Sequence, residues 1–460
     1  MEEKEIEGLI NKQKAFFATG KTLSIKYRIE KLKKLYDFIC VNEKEIAAAL
    51  KEDLGKSEYE SYMCEIGLVK EEATYMIKHI KKFSKDKKVH TPLSQFSSKS
   101  YQKSSPYGNV LIMSPWNYPF LLTMSPLVDA LASGNTALIK PSAYSPSTSK
   151  MIEKICLACF EEEYVAIVKG GRKENAALLE KKFDFIFFTG SQTVGKEVLR
   201  KAAEHLTPAV LELGGKSPCI VDDSSSISLA AKRIVFGKFL NCGQTCVAPD
   251  YILCQRSIKD KLLKELVKQT KLQYGEKPLE NLDYGRIVNE KHFSRLLGLI
   301  DKEKVVLGGE NSLPSLKISP TIMDGVTFDD KVMQEEIFGP ILPILTYENF
   351  DEIFSILKDR EKPLALYIFS NNKKHIEQVT SRISFGGGCV NDCIIHLATT
   401  EMGFGGVGES GMGQYHGKVG FDTFSHKKSI VNKKNGIDLP MRYSPYKNKL
   451  YNKIIHFFLK

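Results

Sequence analysis

The sequence predicts an α/β protein built on doubly wound parallel sheets. Two stretches of alternating strand and helix carry that expectation, one from Asn109 to Leu213 and one from Gly214 to Thr400. Length agrees: at ~150 residues per domain, 460 residues leave room for about three units.

In chain order, the first 83 residues read as helices. Apolar residues recur at three and four spacing through Ile29, Leu32, Tyr36 and Ile39, and again through Ile46, Leu50 and Leu54. A polar stretch from Ser84 to Gln102 follows, read as an exposed hairpin or a linker. In the first alternating region the apolar runs Asn109–Met113, Thr136–Lys140, Tyr164–Val168, Phe183–Phe188 and Pro208–Leu213 are candidate strands. Ser147–Phe160 and Gln192–His205 have helical periodicity. Parallel sheets bind ligands at the carboxyl ends of their strands. That directs attention to the loops after Met113, Lys140, Phe188 and Leu213. The second region places strands at Ser217–Val221, Tyr251–Cys254, Ile341–Leu345 and Leu364–Phe369. A glycine-dense loop from Gly403 to Gly413 and a short apolar tail complete the chain.

Composition excludes several classes. The chain is 42% hydrophobic and 26% charged, ordinary for a globular protein. By area scaling it buries about three quarters of its surface without disulfides or metal. No apolar run reaches the ~20 residues needed to span a bilayer. The start, Met-Glu-Glu-Lys-Glu, is acidic where a secretory leader would be basic. A cytoplasmic protein is expected. The net charge of +11 is spread along the chain, which speaks to solubility and not to a nucleic-acid groove. Ten cysteines are read as thiols, with Cys156, Cys159, Cys389 and Cys393 as core residues. The nine histidines lack metal-ligand spacing, so no metal site is expected.

Four motifs carry chemistry. Thr189-Gly190-Ser191 to Gly195-Lys196-Glu197 follows a strand and nearly matches a P-loop. Glu197, however, stands where Ser or Thr would hold magnesium. A glycine-relaxed turn at a helix N-terminus still suits a pyrophosphate, so a dinucleotide fits better than ATP. Glu212 is the only charge in the strand Ala209–Leu213. Burial would raise its pKa and make it a general base, unless it turns outward to water. Cys246 lies between Gly243-Gln244-Thr245 and Pro249, a setting that suggests a loop or a helix start. A helix start would lower its pKa and favour a nucleophilic thiolate; Cys242 is the rival by spacing. Asn117, between Pro115 and Pro119 after the strand ending at Met113, is placed to donate to an oxyanion or to stiffen a turn.

Together these segments resemble the aldehyde dehydrogenase superfamily. The matching stretches are Ser114–Phe120, Gly134–Ser142, Phe188–Ser191, Glu212–Pro218, Gly243–Cys246 and Glu335–Pro340, in the family's order. Gly243–Cys254, Phe404–Gly408, Tyr415–Lys418 and Phe421–His426 point to the class 3, fatty-aldehyde type, as does the short N-terminus. The resemblance implies two doubly wound parallel-sheet domains plus a small β oligomerisation element. Residues 1–83 and 103–212 would bind coenzyme and 213–400 would be catalytic. Residues 84–102 and 401–435 would form a bridging arm in a homodimer, and 436–460 a tail.

It also implies that Cys246 attacks the aldehyde, with the oxyanion held by Asn117 and the Cys246 N–H. Hydride transfer to NAD or NADP then leaves a thioester, which Glu212-activated water hydrolyses. Lys140 and Ser142 would meet the adenosine side, Thr189, Gly190, Ser191, Gly195, Leu213 and Gly214 the pyrophosphate region, and Glu336 and Phe338 the nicotinamide side. Medium- or long-chain or aromatic aldehydes are the expected substrates. An acylating, CoA-dependent dehydrogenase is the alternative, and Glu212 argues against it. Relatives selective for NAD often carry Glu three residues after the lysine; Ala143 here predicts that NADP is accepted. Leu450, Tyr451, Ile454, Ile455 and Phe458, with Lys447, Lys449, Lys453 and Lys460 around them, can form an amphipathic helix. It would touch a membrane surface weakly, cap the substrate funnel or pack on its own protein.

Overall fold

The computed structural model describes residues 2–459; Met1 and Lys460, the last of the expected tail lysines, lie outside it. Three helices, Ile25–Val41, Glu43–Leu54 and Gly67–Phe83, pack against the helices Leu121–Ser133 and Pro146–Cys159. Each buries one stripe. In the first of them the stripe is Leu32, Leu35 and Ile39, with Ile29 and Tyr36 at its margin. In the second it is Ile46, Leu50 and Leu54. Each such side chain contributes roughly 1.5–3 kcal/mol of apolar burial. Leu121–Ser133 is buried on every side and forms the central helix beneath the sheet.

Five parallel strands of the first sheet run Val165–Ile167, Thr136–Lys140, Asn109–Met113, Phe185–Thr189, Ala209–Glu212. Chain winding reverses between Asn109–Met113 and Phe185–Thr189. That switch point is where a doubly wound sheet opens a ligand crevice. The second sheet has seven strands, in the order Val305–Leu307, Thr321–Met323, Ile341–Tyr347, Tyr251–Gln255, Pro218–Val221, Ala365–Phe369, Gly387–Val390. All are parallel except the first, which runs antiparallel to its neighbour.

A third, antiparallel sheet joins Lys87–Val89, Ser98–Pro106 and Ser425–Lys433. Its long middle strand crosses the expected boundary at residue 102 without a break. Within 401–435, Gly411–Met412 returns to the first sheet beside Ala209–Glu212, and Gly417–Thr423 packs against Gly67–Phe83 and Leu121–Ser133. Only 425–433 joins the three-stranded sheet, because the glycine-dense loop turns the chain back first. The single chain exposes 21592 Å², against ~17,000 Å² expected for a compact monomer of this mass. The projecting hairpin and the exposed tail helix Lys449–Phe458 account for the direction of that excess.

Candidate active site

A cleft of about 1710 Å³ opens at the carboxyl ends of the first sheet and is walled by residues of both sheets. Asn117, Thr189, Gly190, Ser191, Glu212, Leu213, Gly214, Cys246, Glu336 and Phe338 all line it. Residues from 117 to 338 in the chain therefore meet in one crevice. Trp116, His292, Phe404 and Tyr415 add aromatic walls, with Trp116 edge-on to Phe338 at 5.4 Å between ring centroids.

Two side chains cross-link the turn after Met113 to the loop that carries Cys246. The Asn117 amide Nδ2 donates to the carbonyl oxygen of Gln244 at 3.0 Å. The Tyr118 hydroxyl pairs with the Thr245 hydroxyl at 2.7 Å. An amide nitrogen carries two hydrogens, so Asn117 anchors with one and keeps the other for the cleft.

Cys246 lies in a loop and does not begin a helix, the first of the two settings its flanking residues left open. It follows the kinked turn Leu240–Gly243, whose Asn241 and Cys242 hold positive φ, and precedes the strand Tyr251–Gln255. Burial, then the neighbouring Glu336 and Glu212 carboxyls, push its thiol up to about 12, partly offset by the backbone N–H groups of Cys246 and Val247. Cys242 is fully enclosed beside Gly285 and does not line the cleft.

Glu212 ends its strand only 3% exposed, and neither carboxylate oxygen has a hydrogen-bond partner. Desolvation alone drives its pKa well above the carboxylate range, the inward of the two readings the strand pattern left open. Glu336 is held by a loop that three groups pin. Lys216 Nζ donates to the Val332 and Glu335 carbonyls, each at 2.8 Å. Arg295 donates to the Ile337 carbonyl at 2.6 Å, and Asp250 accepts from the Ile337 N–H at 3.1 Å. Burial and the Asp250 charge raise the Glu336 pKa to about 8. A Cβ on Gly214 would collide with this carboxylate, so glycine there lets Glu336 lie across the cleft floor.

The cofactor-side residues divide. Ser191 caps the helix Gln192–Glu204, accepting from the Val194 N–H at 3.4 Å, and points the helix N-terminus at the cleft. Thr189 Oγ1 and Glu336 Oε1 are buried without partners. Orphaned polar groups beside a helix N-terminus and a glycine cradle fit a dinucleotide's pyrophosphate and ribose. Gly195 lies outside the cleft wall: a Cβ there would press within 2.8 Å of Leu213, so its role is close packing of helix on strand. Lys140 lies outside it too. Its Nζ donates to the Pro141 and Gly170 carbonyls at 2.8 and 2.7 Å, and burial lowers its pKa to about 8. The Ser142 hydroxyl is used in the following turn, accepting from the Tyr144 N–H at 3.1 Å.

Elsewhere, Cys156, Cys159 and Cys393 are buried as expected, whereas Cys389 is half-buried, 3.6 Å from His396 Nδ1. Among the described residues no group of His, Cys, Asp and Glu could hold a metal ion. No described helix is long and apolar enough to cross a membrane.

Comparison with known proteins extends the picture. A family model described as "Aldehyde dehydrogenase family" matches residues 1–430. A 4,4'-diaponeurosporen-aldehyde dehydrogenase of Staphylococcus aureus is 47% identical over 457 residues, covering 99% of each chain. A mouse (Mus musculus) protein named "Aldehyde dehydrogenase, dimeric NADP-preferring" is 44% identical over 426 residues, covering 93% of this chain and 94% of its own. The solved structure described as "Substrate bound state of Staphylococcus Aureus AldH" superimposes with a TM-score of 0.97 at 47% identity, covering 99% of each chain.

Proposed function

The chain belongs to the aldehyde dehydrogenase family and is an NAD(P)-dependent aldehyde dehydrogenase, and from that premise we propose that Cys246 is its nucleophile, Asn117 its oxyanion donor and Glu212 its hydrolytic base. The observation that carries this reading is the meeting of all three in one cleft, with Asn117 tied to the loop of Cys246.

The Cys246 thiol gives up its proton to water in the cleft, the thiolate sulfur adds to the aldehyde carbonyl carbon, and the carbonyl oxygen takes the negative charge. The free Asn117 N–H and the Cys246 backbone N–H stabilise that charge where it develops. The bound nicotinamide dinucleotide supplies the hydride acceptor for the oxidation. The resulting thioester on Cys246 is attacked by water, whose proton Glu212 accepts. Carboxylate product and free thiol result. Glu212 is suited to this because nothing else holds its oxygens.

Thr189, Gly190, Ser191, Leu213, Gly214, Glu336 and Phe338 would hold the dinucleotide. Lys140 and Ser142, which lie outside the cleft lining, would serve the adenosine side, and Gly195 supports the site by packing its helix on Leu213. Ala143 offers a 2′-phosphate no like-charge repulsion, which supports NADP use, as does the name of the mouse relative. That name also supports a dimer, as does the projecting three-stranded sheet. Apolar or aromatic aldehydes fit the walls of Trp116, Phe338, Phe404 and Tyr415. Ten free thiols suit a reducing, cytoplasmic setting. Cys246→Ser tests the core of the reading: dehydrogenase activity is lost while dinucleotide binding persists. Activity within roughly tenfold of wild type would end the assignment.

A further inference from the structure

Lys56 and Glu65 form an ion pair at 2.5 Å with both side chains fully enclosed. Burying two charges costs several kcal/mol per ion unless their remaining hydrogen-bond capacity is used. Here it is used on one target. Lys56 Nζ also donates to the carbonyl oxygen of Asn117 at 3.1 Å, and lies 3.9 Å from the centre of the Tyr118 ring. The other Glu65 oxygen accepts from the Phe120 and Leu121 N–H groups at 2.9 and 3.1 Å. Those are orphan donors at the start of the helix Leu121–Ser133. The pair therefore grips the turn Ser114–Phe120 at both its middle and its exit. Glu65 sits in a π-helical turn, Tyr62–Ile66, a departure from α-helix that recurs at functional sites.

The same turn is gripped from the other side. Asn241 Nδ2 donates to the Asn117 carbonyl at 2.8 Å, and the Asn241 N–H donates to Glu60 at 2.9 Å. Asn241 and Cys242 both hold positive φ, 51° and 54°, a strained conformation that packing must maintain. Lys56 and Asn241 thus converge on the carbonyl oxygen of Asn117, whose side chain lines the cleft.

We propose that the buried Lys56–Glu65 ion pair is a positioning pair for catalysis: it fixes the Asn117 backbone so that the side-chain amide meets the oxyanion formed at Cys246. The proposal rests on Asn117 being the oxyanion donor. Misplacing such a donor by about 1 Å costs up to ~10²-fold in rate.

The double variant Lys56→Met/Glu65→Gln removes both charges and leaves no lone buried ion. The expected result is a folded protein with unchanged dinucleotide affinity and native-rate alkylation of Cys246 by iodoacetamide, which forms no oxyanion. Its kcat with aldehyde falls about tenfold or more. Lys56→Arg, which keeps a cation opposite Glu65 but moves the donor off the Asn117 carbonyl, serves where the double variant fails to fold, and its kcat again falls, by about threefold or more. If either folded variant keeps kcat within about twofold of wild type, the pair is structural only and the proposal fails. An equal loss in the alkylation rate means general loosening of the site and also overturns it. Asn117→Ala, assayed alongside, separates the two levels. Native turnover there sinks the oxyanion reading and this proposal with it; slow turnover there, with native turnover in the ion-pair variants, sinks this proposal alone.

Discussion

Asn117 and Gln244 are joined, side-chain amide to backbone carbonyl, at 3.0 Å. The bond couples the first sheet's switch-point turn to the loop that carries Cys246 two residues later. The proposed oxyanion donor and the proposed nucleophile are thus tied by this contact together with the Tyr118–Thr245 bond.

Asn117→Ala removes that contact and the free N–H together. The expected loss is about 10²–10³ in kcat, or ~2.7–4 kcal/mol of transition-state stabilisation. Steady-state kinetics over a range of aldehyde concentrations checks this. A change confined to KM would mean that Asn117 binds substrate and does not act on the oxyanion.

The Cys246 thiol, pushed up to about 12, is protonated at neutral pH in the free enzyme. Thiolate content then grows tenfold per pH unit until that value is approached. Alkylation of Cys246 by iodoacetamide in the absence of dinucleotide should rise log-linearly from about pH 7 to 10. A plateau near neutrality would reveal an activating partner close to the sulfur.

Glu212 acts as a base only when ionised, and burial holds its pKa well above the carboxylate range. Below that raised pKa the carboxyl is protonated and cannot take a proton from water. Thioester hydrolysis therefore speeds up as pH rises through it, and Glu212→Gln abolishes the rising limb. Single-turnover hydrolysis of a preformed Cys246 thioester measures this directly. A wild-type rate that is flat over the same interval would place the base elsewhere.

Much of this was legible in the sequence, for identifiable reasons. Asn109–Met113 and Thr136–Lys140 are read to the residue because both faces of these central strands are buried, leaving unbroken apolar runs. Val305–Leu307 and Gly387–Val390 escaped, being short, partly exposed edge strands, the latter opening on two glycines. Asn117, Glu212 and Cys246 stood out because each breaks the local pattern at a strand end or loop. The setting of Cys246 stayed open between a loop and a helix start because its flanking residues suit both equally, and the structure places it in the loop. Lys56 and Glu65 carry no such signal: their partners lie 55 to 61 positions away, and only the fold brings them together. Gly195, in turn, matches a phosphate-loop spacing yet serves packing against Leu213.

Cofactor choice follows from Ala143. Without a carboxylate beside Lys140, NADP⁺ should be used at least comparably to NAD⁺, and Ala143→Glu should shift selectivity toward NAD⁺. The ratio of kcat/KM values decides it. A preference for NAD⁺ of roughly a hundredfold, about 2.7 kcal/mol, would refute the electrostatic argument.

The tail helix Lys449–Phe458 half-buries Tyr451, Ile454, Ile455 and Phe458, while Leu450 and Phe457 are 62% and 69% exposed. Exposed apolar residues beside Lys447, Lys449 and Lys453 suit a weak hold on an anionic surface. Deleting residues 446–460 should reduce binding to vesicles containing anionic lipid or alter long-chain aldehyde kinetics. If neither changes, the tail is ordinary packing.

The covalent role of Cys246 is tested most directly by trapping its thioester. Glu212→Gln, mixed with aldehyde and dinucleotide, should release one equivalent of reduced cofactor per site in a burst and then stall. Peptide mass spectrometry of the stalled enzyme should find the acyl group on Cys246 and on no other cysteine. Sustained turnover without an adduct, or an acyl group on a different residue, would contradict the account.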